Sequence, residues 1–444
     1  KNIMKPILSL VVPTKNRYVY LTDLVKMFVS FQLKNTELVI QDNSDDNSAF
    51  LNFMSQFKLY KNIRYYYNNT HLSVCENCDK AIQSSLGEYV CMIGDDDSVT
   101  DAIVDVVNWM KINSIDSCLG NLVRYNWPDL QYKHHRFPDL TIPHKKYSML
   151  TIDPKKELQG CLQEGAFQIR RLPRVYHGVV ARTILEKVRS QTGCYFPGPS
   201  PDMANAVALC MNLGKHVVVN IPIIIDGFCY KSTGGMGTRG AHIGQIENMT
   251  HLPKKTAVLW ESKIVKYWTA ETIYAESTLK ALRACGIKAE KYFLMFNYIA
   301  SYAAFVSYNR HFWKLILPYI SLKKDMISLL YYCLRILKKR GRNYILNFFK
   351  TRMRITKDTI RYDIKSLSDA VDFVKLAEAM GAEGVRASTR EEFKEAFAKA
   401  LKSGHPVVID CQIDSDDKVW PMVAPGAPIS EAFDEKDLKT KNAE

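Results

Sequence analysis

The chain has 444 residues, 47% of them hydrophobic and 24% charged, with a formal net charge of +14. This composition excludes a disordered or fibrous chain and allows two or three domains. The eleven cysteines follow no metal-ligand spacing, because Cys75 and Cys78 have no matching second pair, and they read as reduced thiols of a cytoplasmic protein.

The first predicted element is a buried strand over 7–14, opened by the apolar run from Ile7 and punctuated by Pro13. Residues 1–6 lead directly into it, so no signal peptide is expected, and no run of 18 apolar residues marks a membrane span. A helix follows over about 20–32, with Leu21, Leu24, Val25 and Phe28 on one face. Next come a strand over 37–44, a helix near 48–57, a strand over 63–67, a helix over 75–85 and a strand over 87–93. The alternation of strands and helices predicts a largely parallel sheet with crossover helices. Polar residues gather where these strands end, which is where open α/β sheets bind ligands.

The strand over 87–93 runs into Gly94-Asp95-Asp96-Asp97. Three adjacent carboxylates repel one another, so a fold that keeps them together must neutralise them, and hard oxygen ligands suit Mg²⁺ or Mn²⁺. A solvated acidic turn, or capping by Asp97 or Ser98 of a helix beginning near Thr100, accounts for the same residues.

Leu10 to Arg17, Asp42-Asn43-Ser44, Leu86 to Val90 and the Gly94–Asp97 stretch together resemble the inverting family-2 glycosyltransferases of the GT-A fold, over about residues 5–230. The resemblance implies a donor site that includes Pro13, Thr14, Asn16, Arg17, Asp42, Asn43 and Asp95, with UDP as the usual nucleotide. It also implies a divalent ion on Asp96, with Asp95 and Asp97 beside it. Many relatives read Asp-x-Asp-Asp, and Gly94 stands at the first of those positions. An Asp about 100 residues further on serves relatives as the general base, which places that role on Asp202 in Pro199-Ser200-Pro201-Asp202. Asp202 as a plain helix cap is the competing reading. His177, in Arg174 to Val180, reads equally as a substrate contact or a core histidine. Residues 231–242 hold four glycines with Lys231 and Arg239 and read as a mobile cationic loop over a diphosphate. Arg239 would contact the donor, and His242 would complete the metal shell as a histidine does in some relatives; a plain linker is the alternative.

Helical patterning is expected over about 259–306. Beyond it, residues 314–357 hold 12 basic residues against one acid, interleaved with Leu, Ile, Tyr and Phe. This pattern predicts basic amphipathic helices on an anionic membrane surface, in preference to a nucleic-acid patch; a merely solvated helical bundle is the other reading. Residues 363–444 reverse the balance, with 11 basic and 17 acidic residues. About residues 369–430, especially 406–410 and 421–426, resemble the C-terminus of acetohydroxyacid synthase catalytic subunits, which are thiamine-diphosphate enzymes. The cofactor motif of those enzymes does not precede this stretch, so it reads as a fusion, a docking module or a junction of unrelated genes.

The expected organisation is an α/β GT-A catalytic domain over 1–230, a helical extension over 231–358 and a small α/β tail over 359–444. The expected activity is metal-dependent inverting transfer from a nucleotide sugar to a saccharide or lipid-linked acceptor in surface-polysaccharide synthesis. Such an enzyme would be cytoplasmic and peripheral at the inner face of the plasma membrane. A thiamine-diphosphate enzyme remnant and a non-catalytic membrane-associated protein are the alternatives.

Overall fold

A computed structural model of the protein describes residues 5–130, 139–141, 148–238, 243–352 and 373–411. The chain divides into two units, Lys1–Gly381 and Ala382–Glu444. The first unit begins with β1 (Leu8–Thr14), α1 (Tyr18–Phe31), β2 (Thr36–Asp42), α2 (Ser48–Met54), β3 (Ile63–Tyr67), α3 (Val74–Gln83) and β4 (Tyr89–Met92). It continues with β5 (Ser98–Val99), α4 (Ala102–Ile112), β6 (Ser117–Asn126), β7 (Asp139–Thr141), β8 (Met149–Ile152), α5 (Pro154–Gln163), β9 (Val179–Ala181), α6 (Arg182–Thr192), α7 (Pro201–Asn212) and β10 (His216–Phe228). Helices then dominate: α8 (Thr233–Thr238), α9 (Ala270–Cys285), α10 (Ala289–Met295), α11 (Tyr298–Tyr308), α12 (Met326–Arg352) and α13 (Phe373–Ala379). The second unit holds β11 (Glu383–Ala387), α14 (Arg390–Ala400) and β12 (Val407–Cys411), a β-α-β piece whose two strands pair in parallel.

The large sheet runs β3-β2-β1-β4-β9-β6-β10-β5, with β7 on β6 and β8 on β10. The β3-β2-β1-β4 half is wholly parallel, as its alternating pattern predicts. Side chains of a strand alternate between faces, and both faces here are covered. Leu10, Val12, Leu38 and Ile40 pack with Leu21, Leu24, Val25 and Phe28 of α1 and with α4. Val11, Val39, Val90 and Met92 pack on the other side with α3, α6 and α7. Local signals set the helix starts. Ser73 and Glu76 form a capping box at α3, and Pro201 occupies the first turn of α7, where its missing N–H costs nothing.

Two expectations are corrected. The helix expected from about 259 begins only at Ala270, because Thr269 and Thr272 form a capping box there. Just before it, Trp268 exchanges backbone hydrogen bonds with Gly244 at 2.7 and 3.2 Å, which holds that stretch out of a helix. The expected mobile glycine loop is, over Thr233–Thr238, the short helix α8. Its glycines permit close approach: a Cβ on Gly235 would lie 2.0 Å from the Cys229 carbonyl oxygen, and one on Gly234 would lie 2.3 Å from the Phe228 ring. Arg239, His242 and the 421–426 stretch lie outside the described residues.

Gly87 fixes the seating of β4 on β1, since a Cβ there would fall 2.5 Å from the Ser9 backbone nitrogen. Gly87→Ala is expected to cost about 2 kcal/mol through this overpacking, read as an earlier midpoint in urea unfolding followed by circular dichroism.

Candidate active site

The parallel neighbours β1 and β4 end side by side, so the first turn after β1 meets the carboxylates after β4. Thr14 Oγ1 donates to Asp95 Oδ2 at 2.6 Å. Arg17 lies between two of the three acids, with Nε 3.1 Å from Asp95 Oδ1 and Nη2 2.8 Å from Asp96 Oδ1. The Arg17 guanidinium also stands 5.2 Å from the centre of the Tyr20 ring. Trp127 Nε1 donates to the Asp96 carbonyl at 2.9 Å. β5 pairs antiparallel with β10 and brings Gly227 over the triplet. A Cβ at Gly227 would sit 1.6 Å from the Asp96 carbonyl oxygen, so only glycine fits.

Asp97 is held differently. Its carboxylate accepts from the Gly94 N–H at 2.7 Å, the Gly227 N–H at 2.8 Å and His177 Nε2 at 2.6 Å. His177 adopts a left-handed backbone, φ 56°, and so does Asn16, φ 58°. Strain of this kind on non-glycine residues persists only where surrounding structure enforces it.

All three carboxylates are buried. Burial pushes Asp95 up to about 6 and Asp96 up to about 7, with Arg17 opposing both shifts and the Asp97 charge adding to them. Burial acts on Asp97 in the same direction, but His177 and the two N–H donors outweigh it and hold this carboxyl below its ordinary range. His177 is raised, because the pull of Asp97 exceeds the effect of its own burial.

Asp97, His177 and Asp226 each bring one ligand atom within 4.8 Å of the others. Asp96 Oδ2 is a buried oxygen without a hydrogen-bond partner among the described residues. An oxygen-rich donor set with one imidazole fits Mn²⁺ or Mg²⁺.

A cleft of about 290 Å³ opens beside the triplet, lined among others by Pro13, Thr14, Arg17, Asn43 and Asp95. Five of the expected donor residues therefore share one wall. Asn43 also shapes that wall, because its amide donates to the Asn68 and Thr70 carbonyls at 2.7 and 2.6 Å. Asn16 lies beside the cleft and ties β1 to the turn after β2 through Ser44 and Asp45. Asp42 is different: it is fully buried and accepts from Tyr18 at 2.6 Å, Tyr65 at 2.7 Å and the Ser44 N–H at 2.8 Å. Its carboxylate supports the cleft from behind and does not line it.

Asp202 is the second residue of α7, in the first turn, and Ser200 occupies the capping position. Burial raises its pKa, against the opposing charges of His177 and Arg174. The Tyr274 hydroxyl lies 3.5 Å from Asp202 Oδ2. The charge of His177 thus acts on both Asp97 and Asp202.

Sequence reasoning did not assign Asp226, His71, His251, Trp127 or Tyr274. Asp226 had a signal, since Ile223-Ile224-Ile225-Asp226-Gly227 is another apolar strand run ending in an acid. Lys15 and His71 contact each other at 3.1 Å across the cleft, with His251 on the same lining. His71 lies four residues past the end of β3, again beyond a strand's carboxyl end.

Residues 9–173 match the family model for Glycosyl transferase family 2. This segment is a family-2 glycosyltransferase domain. Residues 340–411 match a second model, the C-terminal TPP binding domain of thiamine pyrophosphate enzymes. Similar curated proteins include the acetolactate synthase isozyme 2 large subunit of Escherichia coli, 35% identical over 74 residues, which are 17% of this chain and 14% of that protein. The acetolactate synthase of Mycobacterium leprae is 46% identical over 61 residues, 14% of this chain and 10% of that protein. The chain therefore spans only a small part of the length of these relatives. Among solved structures, S. aureus TarS 1-349 in complex with UDP-GlcNAc aligns at 12% identity and a TM-score of 0.40, covering 69% of this chain and 72% of that one. The same protein in complex with UDP aligns at 12% identity and 0.40, covering 96% and 99%.

Arg17 is the cation that separates Asp95 from Asp96. Arg17→Ala leaves two buried carboxylates facing each other and is expected to cost about 3 kcal/mol, as for other broken buried pairs. Chemical denaturation of the metal-free protein reads the loss.

Proposed function

We propose that the glycosyltransferase domain performs metal-dependent, inverting transfer of a sugar from a nucleotide donor, UDP-linked, to an acceptor hydroxyl in surface-polysaccharide synthesis. The acceptor would be a saccharide or a lipid-linked saccharide, met at the inner face of the plasma membrane. The observation that carries this reading is the buried carboxylate triplet at the strands' carboxyl ends, with Asp96 Oδ2 lacking a partner beside an open cleft. Asp95, Asp96 and Asp97 would hold Mn²⁺ or Mg²⁺, with His177, Asp226 and the His242 of the family resemblance as further donors. A divalent ion bound there supplies positive charge against a donor diphosphate.

The residues of the chain take the remaining roles. Thr14, Arg17, Asn43 and the adjoining Lys15 and His71 orient the nucleotide along the cleft, with Asn16 and Asp42 setting the shape of its wall. Asp202 accepts the proton of the acceptor hydroxyl as that oxygen bonds to the anomeric carbon. The bond from that carbon to the diphosphate breaks on the opposite face, and the configuration inverts. Arg239 and the glycines before it would stabilise the departing diphosphate. The raised pKa of Asp202 suits a base, because a more basic carboxylate drives the proton transfer harder once ionised.

Titration calorimetry of UDP with and without Mn²⁺ tests the donor site. Binding is expected only with Mn²⁺ and is expected to vanish in Asp96→Ala; absence of binding in both conditions overturns the reading. A second measurement addresses the base. Asp202→Asn is expected to keep UDP binding and lose transfer by at least about 100-fold. The base works ionised, so in the parent enzyme kcat/KM is expected to fall as pH drops through a limb above the usual carboxylate pKa of about 4. The match of residues 340–411 to the thiamine pyrophosphate enzyme family supports a fusion. Thiamine diphosphate titrated into the full chain is expected to give no heat of binding.

A further inference from the structure

Helix α12 carries two apolar stripes. Leu329 and Ile336 are buried, and with Met326, Tyr332 and Cys333 they pack on Tyr302, Ala303 and Phe305 of α11. A second stripe follows the same helical spacing on another side: Ile327, Leu330, Tyr331, Leu334 and Leu337, at i, i+3, i+4, i+7 and i+10. None of its members is covered, with Ile327 82%, Leu334 66% and Tyr331 58% exposed. Five large apolar side chains in a row are more than a surface helix of a solitary soluble protein normally leaves in water. The turns before the helix leave Trp313, Leu317 and Leu322 exposed as well.

The stripe is set among cations. Lys338 lies one turn beyond Leu334, and Arg342 one turn beyond Lys338. Lys323 and Lys324 stand just before the helix begins. These four side chains are exposed and form no ion pair among the described residues, whereas Arg335 pairs with Glu164 and Lys339 bonds to Gln168. Only Asp325 offsets the 12 basic residues of 314–357.

We infer that the outer stripe of α12, with Lys323, Lys324, Lys338 and Arg342, is a docking face for an anionic bilayer surface. The proposal sharpens the membrane location given above by naming the face, and it does not depend on the transfer chemistry. An amphipathic helix in the interface buries its apolar side chains at the acyl boundary while Lys and Arg reach lipid phosphates. No helix of the described residues is long and apolar enough to cross a membrane, so the fit is to lying on the surface. A second copy of the chain is a poorer occupant. A two-fold contact would set this cationic face against itself, where like charges oppose association. A nucleic acid would use the cations but would leave the Leu and Ile side chains without apolar partners.

The test is co-sedimentation of the full chain, without donor or acceptor, with phosphatidylcholine vesicles and with phosphatidylcholine–phosphatidylglycerol vesicles. Binding is expected only to the mixed vesicles and should weaken as salt is raised. Leu330→Ser/Leu334→Ser and Lys338→Glu/Arg342→Glu should each reduce the partition coefficient by about tenfold or more. Thermal melts of both variants should match the parent, because every substituted side chain is exposed. Equal partition onto both vesicle types, no partition, or unaffected variants would overturn the proposal. A dimer in sedimentation velocity that the variants dissociate, or DNA retention that they abolish, in a protein that ignores vesicles, would reassign the face and equally overturn it. UDP binding measured on the same preparation reports the donor site separately, so failure of either reading is visible without the other.

Discussion

Everything around the candidate active site answers to one electrostatic constraint: three consecutive carboxylates are buried where β4 ends. Carboxylates removed from water need compensation by charge or by hydrogen bonds. The chain supplies it from three distant places: Thr14 and Arg17 at and just after the end of β1, His177 before β9, and the Gly227 N–H at the end of β10. Two of these suppliers are themselves constrained, and so is Asn16 beside them. Gly227 has no room for a Cβ, and His177 and Asn16 hold left-handed backbone conformations. The sheet order explains why these segments converge, since β1 and β4 are neighbours and β5 ties the residues after the triplet to β10.

The compensation is unequal, and the inequality divides the roles. Asp97 receives four hydrogen bonds, from the Gly94 and Gly227 N–H groups, His177 and the Tyr176 hydroxyl, and its carboxyl is held below its ordinary range. Asp95 and Asp96 share Arg17 and keep raised pKa values. One arrangement therefore contains a fixed negative centre and a pair of acids whose ionisation is costly until more positive charge arrives. Asp202, raised mainly by burial, stands in the first turn of its own helix.

The parallel half of the fold was legible because its strands are short apolar runs separated by helically spaced residues, and the four-residue face of α1 is buried as its pattern implies. The acids were legible because they are adjacent in sequence. What could not be read was long-range pairing. Arg17 meets Asp95 and Asp96 across almost eighty residues, and no local signal distinguishes that arginine from a solvent-facing one. Asp42 was assigned to the cleft by its place at a strand end, and its Oδ2 accepts from Tyr18 and Tyr65 and its Oδ1 from the Ser44 N–H. Glycine was ambiguous for a physical reason. The residue that frees a loop also allows backbones to touch, and at Gly234 and Gly235 the contact with the end of β10 decides. The aromatic spacing over 259–268 suited a helix, but the Thr269–Thr272 cap and the Trp268–Gly244 bonds fix where helix starts.

The C-terminal similarity does not respect the boundary of the fold. Residues 340–411 match the thiamine-enzyme family, yet the first unit extends to Gly381. Within that unit Met380 is buried with Tyr20, Met27, Tyr125 and Trp127, and its carbonyl accepts from the Tyr125 hydroxyl at 2.8 Å. Tyr20 and Trp127 are the rings that meet Arg17 and the Asp96 carbonyl. A borrowed segment with no part in the fold would leave this aromatic cluster in water, at a cost set by its apolar area. Here the opposite holds: Met380, just past α13, is buried in this cluster and Phe373 packs against it. Met380 and Phe373, inside the matched stretch, are thus part of the first unit's own core, whereas β11, α14 and β12 belong to the second unit.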